Sequence, residues 1–133
     1  MADDVVAIVN TSPDIVDMLR MAFQRAGIVV VSAFTHSIRE GDVNLEHFIR
    51  QHDPRVIVYD IAPPYDANWQ FFQHLSQLNF MKDRVYVLTS TNTKHVASLV
   101  GRDRRIYEIV GRPIDIDEIV QATREALRSR HSA

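Results

Sequence analysis

The sequence predicts a doubly wound α/β sandwich, with five parallel strands and five helices on the two faces of the sheet. Three observations predict it. Short apolar runs recur five times along the chain, each followed by a stretch of helical periodicity. The runs show little polar alternation, as expected of strands covered on both faces. The 133 residues make one domain, large enough to bury a core without staples, and there is no cysteine to supply them.

Val5-Val6-Ala7-Ile8-Val9 reads as the first strand. Ser12-Pro13-Asp14 then opens a helix, with serine as cap, proline at the first helical position and an acid at the positive end of the dipole. Ile15, Leu19, Ala22 and Ala26 give this helix an apolar face, and Gly27 ends it. Ile28-Val29-Val30-Val31 is the second strand. Leu45, Phe48 and Ile49 mark the second helix, which stops before Asp53-Pro54 because a residue preceding proline resists the α region. The intervening Arg39-Glu40-Gly41-Asp42-Val43-Asn44 reads as a surface insertion or a partner-specific loop.

Val56-Ile57-Val58-Tyr59 is the third strand, and it ends in Asp60. Trp69, Phe72, Leu75 and Leu78 mark the third helix, and Val85-Tyr86-Val87-Leu88 the fourth strand. Residues 94–99 form a short fourth helix and 106–110 the fifth strand. The last helix begins near Asp115, with Ile116, Ile119, Val120, Thr123 and Leu127 on one side. The domain is expected over residues 1–127, with 128–133 as a flexible polar tail.

Composition narrows the function classes. The formal net charge of −2 gives no basic footprint for nucleic acid or an anionic membrane. The acidic start Met-Ala-Asp-Asp lacks the regions of a signal peptide, and no apolar run approaches a membrane span. A soluble, cytoplasmic protein is expected. The six histidines (36, 47, 52, 74, 95, 131) show no metal-ligand spacing and read as surface polar residues.

A carboxylate where a buried strand surfaces is placed to do chemistry, because ligands of open parallel sheets sit beyond the carboxyl ends of the strands. Asp60 is followed four residues later by Pro64, then by Thr89 at the end of the fourth strand and by Arg112-Pro113 after the fifth. In this order and at these strand ends the chain resembles a response regulator receiver domain of two-component signalling, over nearly its whole length. The resemblance implies a flavodoxin-like strand order 2-1-3-4-5. It also implies Asp60 as phosphoacceptor, Thr89 and Arg112 as phosphoryl contacts, and a cis peptide before Pro113. Mg²⁺ would be held by an acid pair ending the first strand, by the phosphorylated Asp and by the carbonyl of Ala62.

The chain departs from that pattern at four places. Asn10 and Thr11 replace the acid pair, and Ser12 stands where a third acid is common. With Asp60 as the anionic ligand left, Mg²⁺ binding is expected to be weak, and no other cofactor is expected. Arg112 stands for the family's lysine, and its planar fork differs from an ammonium point charge. Ile109 stands for the switch aromatic, with Tyr107 two residues back as a substitute only if the register differs.

Two readings of each site residue stand side by side. Asp60 is a phosphoacceptor, or a strand-end acid paired with Arg112. Thr89 contacts a phosphoryl group, or caps the next loop. Trp69, Phe71 and Phe72 are core, or one of them occludes the site; Arg102, Arg104 and Arg105 are a solvated edge, or part of an output face. The leading function is a non-enzymatic receiver domain of a phosphorelay with a degenerate site. A sensor histidine kinase or another signalling protein would be its partner, with homodimerisation through the face made by the fourth helix, fifth strand and last helix. The alternatives are a phosphorylation-independent interaction module and a flavin- or nucleotide-binding enzyme. The enzyme reading is weakest, because the first loop has no glycine to bring backbone close to a phosphate.

Overall fold

The computed structural model describes residues 4–111 and 116–132, with side chains as far as 128. The elements run β1 (Val5–Asn10), α1 (Pro13–Arg25), β2 (Val29–Phe34), α2 (Thr35–Glu40), α3 (Leu45–His52), β3 (Val56–Asp60) and α4 (Tyr65–Ser76). After a single 3-10 turn at Asn79–Met81 come β4 (Val85–Ser90), α5 (Thr93–Val100), β5 (Ile106–Gly111) and α6 (Ile116–Ser132). The five strands form one parallel sheet in the order β2-β1-β3-β4-β5.

Alternate residues of each strand go to opposite faces, so the core divides in two. On one face Val6, Ile8, Val58 and Val87 pack with Leu19 and Phe23 of α1 and Ile119 and Ala126 of α6. On the other, Ala7, Val9, Ile57, Tyr59, Tyr86 and Leu88 pack with Ile49 of α3, Trp69 and Phe72 of α4 and Val96 of α5. Phe72 is the hub of the second half: its ring centroid lies 4.8 Å from Tyr59, 5.4 Å from Trp69 and 4.9 Å from Tyr86. Full burial of such a ring stabilises the fold by about 1.5–3 kcal/mol.

Helix α1 begins as its sequence requires, with the Ser12 hydroxyl accepting the Ile15 N–H and Pro13 in the first turn. Gly27 follows its last turn at φ +78°, a conformation without steric penalty for glycine. Its buried stripe is rotated from the expected one. Val16, Leu19 and Phe23 are buried, and Ile15 is half-buried against them.

The β2–β3 connection holds two helices where one was expected. Thr35–Glu40 is helical, Gly41 terminates it at φ +83°, and Asn44 caps α3 through the His47 N–H. The fifth strand carries a bulge: Tyr86 pairs with Ile106 and Val87 with Glu108. This turns Tyr107 outward, where its hydroxyl reaches Glu125 of α6, while Ile109 packs with the α4 and α5 side of the core. Tyr107 therefore does not stand in for a switch aromatic beside Thr89. Helix α6 runs from Ile116 to Ser132.

Candidate functional site

Asp60 is the last residue of β3, and the register sets it opposite Thr89 of β4. Both are buried, at 5% and 1% exposure, and the Thr89 hydroxyl donates to Asp60 Oδ1 at 2.6 Å. A hydrogen bond to an ionised group contributes about 1.5–3 kcal/mol. The chain leaving Asp60 is clamped to β4 as well: the Ile61 N–H donates to the Thr89 carbonyl, and the Ser90 hydroxyl donates to the Ile61 carbonyl. Pro63-Pro64 follows with a cis peptide bond, and Pro64 occupies the cap position of α4.

The end of β1 is built for a turn. Asn10 is buried, and its Oδ1 accepts the Ser12 N–H at 3.0 Å, while Ser12 caps α1. Thr11 is exposed between them. The Ala62 carbonyl, the backbone ligand implied for a metal, accepts Nδ2 of Asn68 at 2.7 Å. Mg²⁺ demands several hard oxygen ligands in near-octahedral array. Here the candidate oxygens are a carboxylate already bonded to Thr89, an amide oxygen engaged in a turn and a carbonyl engaged by Asn68. Asp60 is the one carboxylate among these oxygens, and no group of three or more His, Asp or Glu among the described residues can hold a metal ion.

Two clefts flank Asp60. The smaller, about 240 Å³, is bounded by Thr11, Ser12, Ala62, Pro63 and Thr91. The larger, about 580 Å³, runs toward α2 and α4 and is lined by Thr35, Arg39, Tyr59, Ala62, Asn68 and Phe71 among others. Both open at the carboxyl ends of β1 and β3, where α/β sheets hold ligands. Arg39 crosses from α2 to α4: its Nη2 donates to Asn68 Oδ1 at 2.8 Å, and its guanidinium lies 4.5 Å from the centre of the Phe71 ring. Asn68 thus spans Arg39 and the Ala62 carbonyl with one amide. Burial pushes the Tyr59 phenol well up, against the lowering effect of nearby Arg39 and with the raising effect of Asp60, so it is neutral at physiological pH.

The structure brings together Asp60, Thr89, Asn10, Thr11 and Ala62 at one end of the sheet. Arg112 and Pro113 lie outside the described residues. Thr89 contacts Asp60 itself and does not cap the next loop; Asn92 does that for α5. Trp69 and Phe72 are core, while Phe71 lines the larger cleft. Arg105 is more than a solvated edge. It forks onto Asp103 and donates to the Ser76 carbonyl, and that bonding holds the Asp103 carboxyl below its usual range.

Thr35, Arg39 and Asn68 were not singled out from the sequence as site residues. The available signal was Gly41, which after Arg39-Glu40 marks a helix stop.

No protein-family model and no curated protein matches the chain. Solved structures do. A sensor protein from Polaromonas sp. JS666 superposes with TM-score 0.73 at 15% identity, over 97% of this chain and 99% of that one. A response regulator from Thermotoga maritima gives 0.72 at 11%, over 96% and 99%. A chemotaxis response regulator of Vibrio cholerae gives 0.69 at 16%, over 94% and 99%. With identities this low the likeness is one of architecture, and it extends across almost the entire length of both partners. The chain has the fold of response regulator receiver domains.

Proposed function

We propose that the chain is a receiver module of phosphorelay signal transduction, in which Asp60 accepts a phosphoryl group without the usual Mg²⁺ route. The observation that carries this reading is the buried Thr89–Asp60 hydrogen bond at paired strand ends, opening into a cleft. A hydroxyl beside the carboxylate is placed to donate to a phosphoryl oxygen once the acyl phosphate forms. In that step a carboxylate oxygen attacks phosphorus and an O–P bond forms. The P–N bond of a phosphohistidine or phosphoramidate breaks, and the electron pair and a proton go to the departing nitrogen. The chain is the acceptor, not an enzyme. Its partner class is a sensor histidine kinase or another signalling protein, and a second copy would dock on the face made by α5, β5 and α6.

A second reading, an interaction module that never carries phosphate, draws support from the engaged Asn10 and Ala62 oxygens. The two separate by intact mass after incubation with phosphoramidate or acetyl phosphate, with Mg²⁺ or with EDTA. A gain of one phosphoryl group in EDTA, lost in Asp60→Asn, is the expected result. No gain under either condition in a folded sample establishes the interaction module. A gain only with Mg²⁺ shows that the metal route survives the loss of its acids.

A further inference from the structure

The larger cleft beside Asp60 carries more than the acceptor reading uses. Thr35, 7% exposed, lines its inner wall, and its hydroxyl has no hydrogen-bond partner among the described residues. A buried, unsatisfied hydroxyl is destabilising and asks for an explanation. One helical turn on, Arg39 is held flat against Phe71 and Asn68, and it forms no ion pair with a carboxylate among the described residues. A guanidinium has five N–H donors in a rigid fork suited to phosphate or carboxylate oxygens, and one donor bond goes to Asn68. The geometry is therefore that of a pre-positioned cation with spare donors, next to an orphan hydroxyl, sharing a cleft with the carboxylate that takes phosphate.

We propose that this cleft is an oxyanion site, in which Arg39 and Thr35 hold the phosphoryl group offered to or carried by Asp60. The protein's own cation would then supply positive charge at the phosphoryl group. A carboxylate attacking a phosphoryl group brings negative charges together, and fixed positive charge at that point lowers the barrier. The phosphorylated side chain itself carries about −1.5 to −2 charges at neutral pH, which raises the demand for Arg39. The inference rests on Asp60 as acceptor, yet the site can be tested apart from it.

Asp60→Asn cannot be phosphorylated and no longer repels an anion, so it reports the cleft alone. Titrated with inorganic phosphate in EDTA and followed by ³¹P NMR, it is expected to bind saturably. In that background Arg39→Gln is expected to weaken binding at least about tenfold and Thr35→Val about three- to tenfold. If Gln disturbs folding, Arg39→Lys keeps the charge but loses the fork, and a several-fold loss is the corresponding result. In the Asp60 protein, Arg39→Gln is expected to slow phosphorylation by phosphoramidate in EDTA at least about tenfold.

Absence of phosphate binding in Asp60→Asn, or binding indifferent to both substitutions, overturns the oxyanion site. So does phosphorylation of Asp60 at an unchanged rate in Arg39→Gln, and then the acceptor reading stands alone. Phosphate held by Arg39 in a chain that is never phosphorylated separates the two the other way. That result keeps the site and identifies free phosphate, or a small phosphate-bearing molecule, as its ligand.

Discussion

The two clefts on either side of Asp60 share one carboxylate and differ in the bonding of their polar groups. The smaller faces the end of β1, where Asn10 shapes a turn and Ser12 caps α1, and the Ala62 carbonyl, which borders both clefts, takes an amide from Asn68. The larger faces α2, where among the described residues Arg39 has no carboxylate partner and the Thr35 hydroxyl has no partner at all. On one side Asn10, Ser12 and Ala62 are engaged in local hydrogen bonds, and the other holds groups whose bonding capacity is unspent. A shared fold thus says little about which side of an acid does chemistry, and the partners of individual polar atoms say a great deal.

The largest test of that contrast goes beneath both clefts. Phe72 is fully buried among Tyr59, Trp69 and Tyr86, and Tyr59 lines the larger cleft but not the smaller. Phe72→Ala is expected to destabilise the protein by about 3–5 kcal/mol in denaturant unfolding. Under conditions where it is still folded, it should loosen phosphate binding in the larger cleft and leave the β1 end unchanged. Equal losses on both sides would show that the clefts are one mechanical unit.

The second test rebuilds the end of β1. Asn10→Asp with Thr11→Asp restores two carboxylates, and the first of them keeps an oxygen in place to accept the Ser12 N–H. Mg²⁺ affinity by calorimetry is expected to rise on the order of a hundredfold, since ligand charge count sets the affinity of such sites. No gain would mean that the Asn68–Ala62 contact, rather than the missing acids, bars the metal.

The smallest effect lies remote from both. Bonding from Arg105 lowers the Asp103 carboxyl, so this pair contributes stability above the ordinary carboxylate value of about 4. The contribution is lost as pH falls through the lowered value. Asp103→Asn is expected to cost about 1 kcal/mol at pH 7. The gap from the parent should close as the pH drops below that range, with phosphate binding untouched. A change in phosphate binding would tie the β5 edge to the clefts.

Much of this was written in short windows of sequence. Ser12-Pro13-Asp14 started α1 and Gly27 followed its end, because capping and turn chemistry depend on neighbours a few residues apart. Asp60 at the end of an apolar run fell at a strand end, and continuous runs gave a sheet covered on both faces. What failed was also informative. The six-residue α2 is too short for periodicity to show, and the buried stripe of α1 runs through Val16, Leu19 and Phe23, where the sequence pattern points to Ala22 and Ala26. The bulge that sends Tyr107 to Glu125 arises from strand pairing, which no single strand announces.

The sequence by itself determined the order and kind of nearly all elements, and it set the acid where the third strand surfaces. Only the tertiary structure decided what that acid meets. Thr89 and Asp60 lie 29 residues apart, as do Arg39 and Asn68, and each pair meets because separate elements converge at one end of the sheet. Local chemistry is encoded by residues within a few positions of one another, whereas a hydrogen bond across such a gap exists only once packing has fixed both ends.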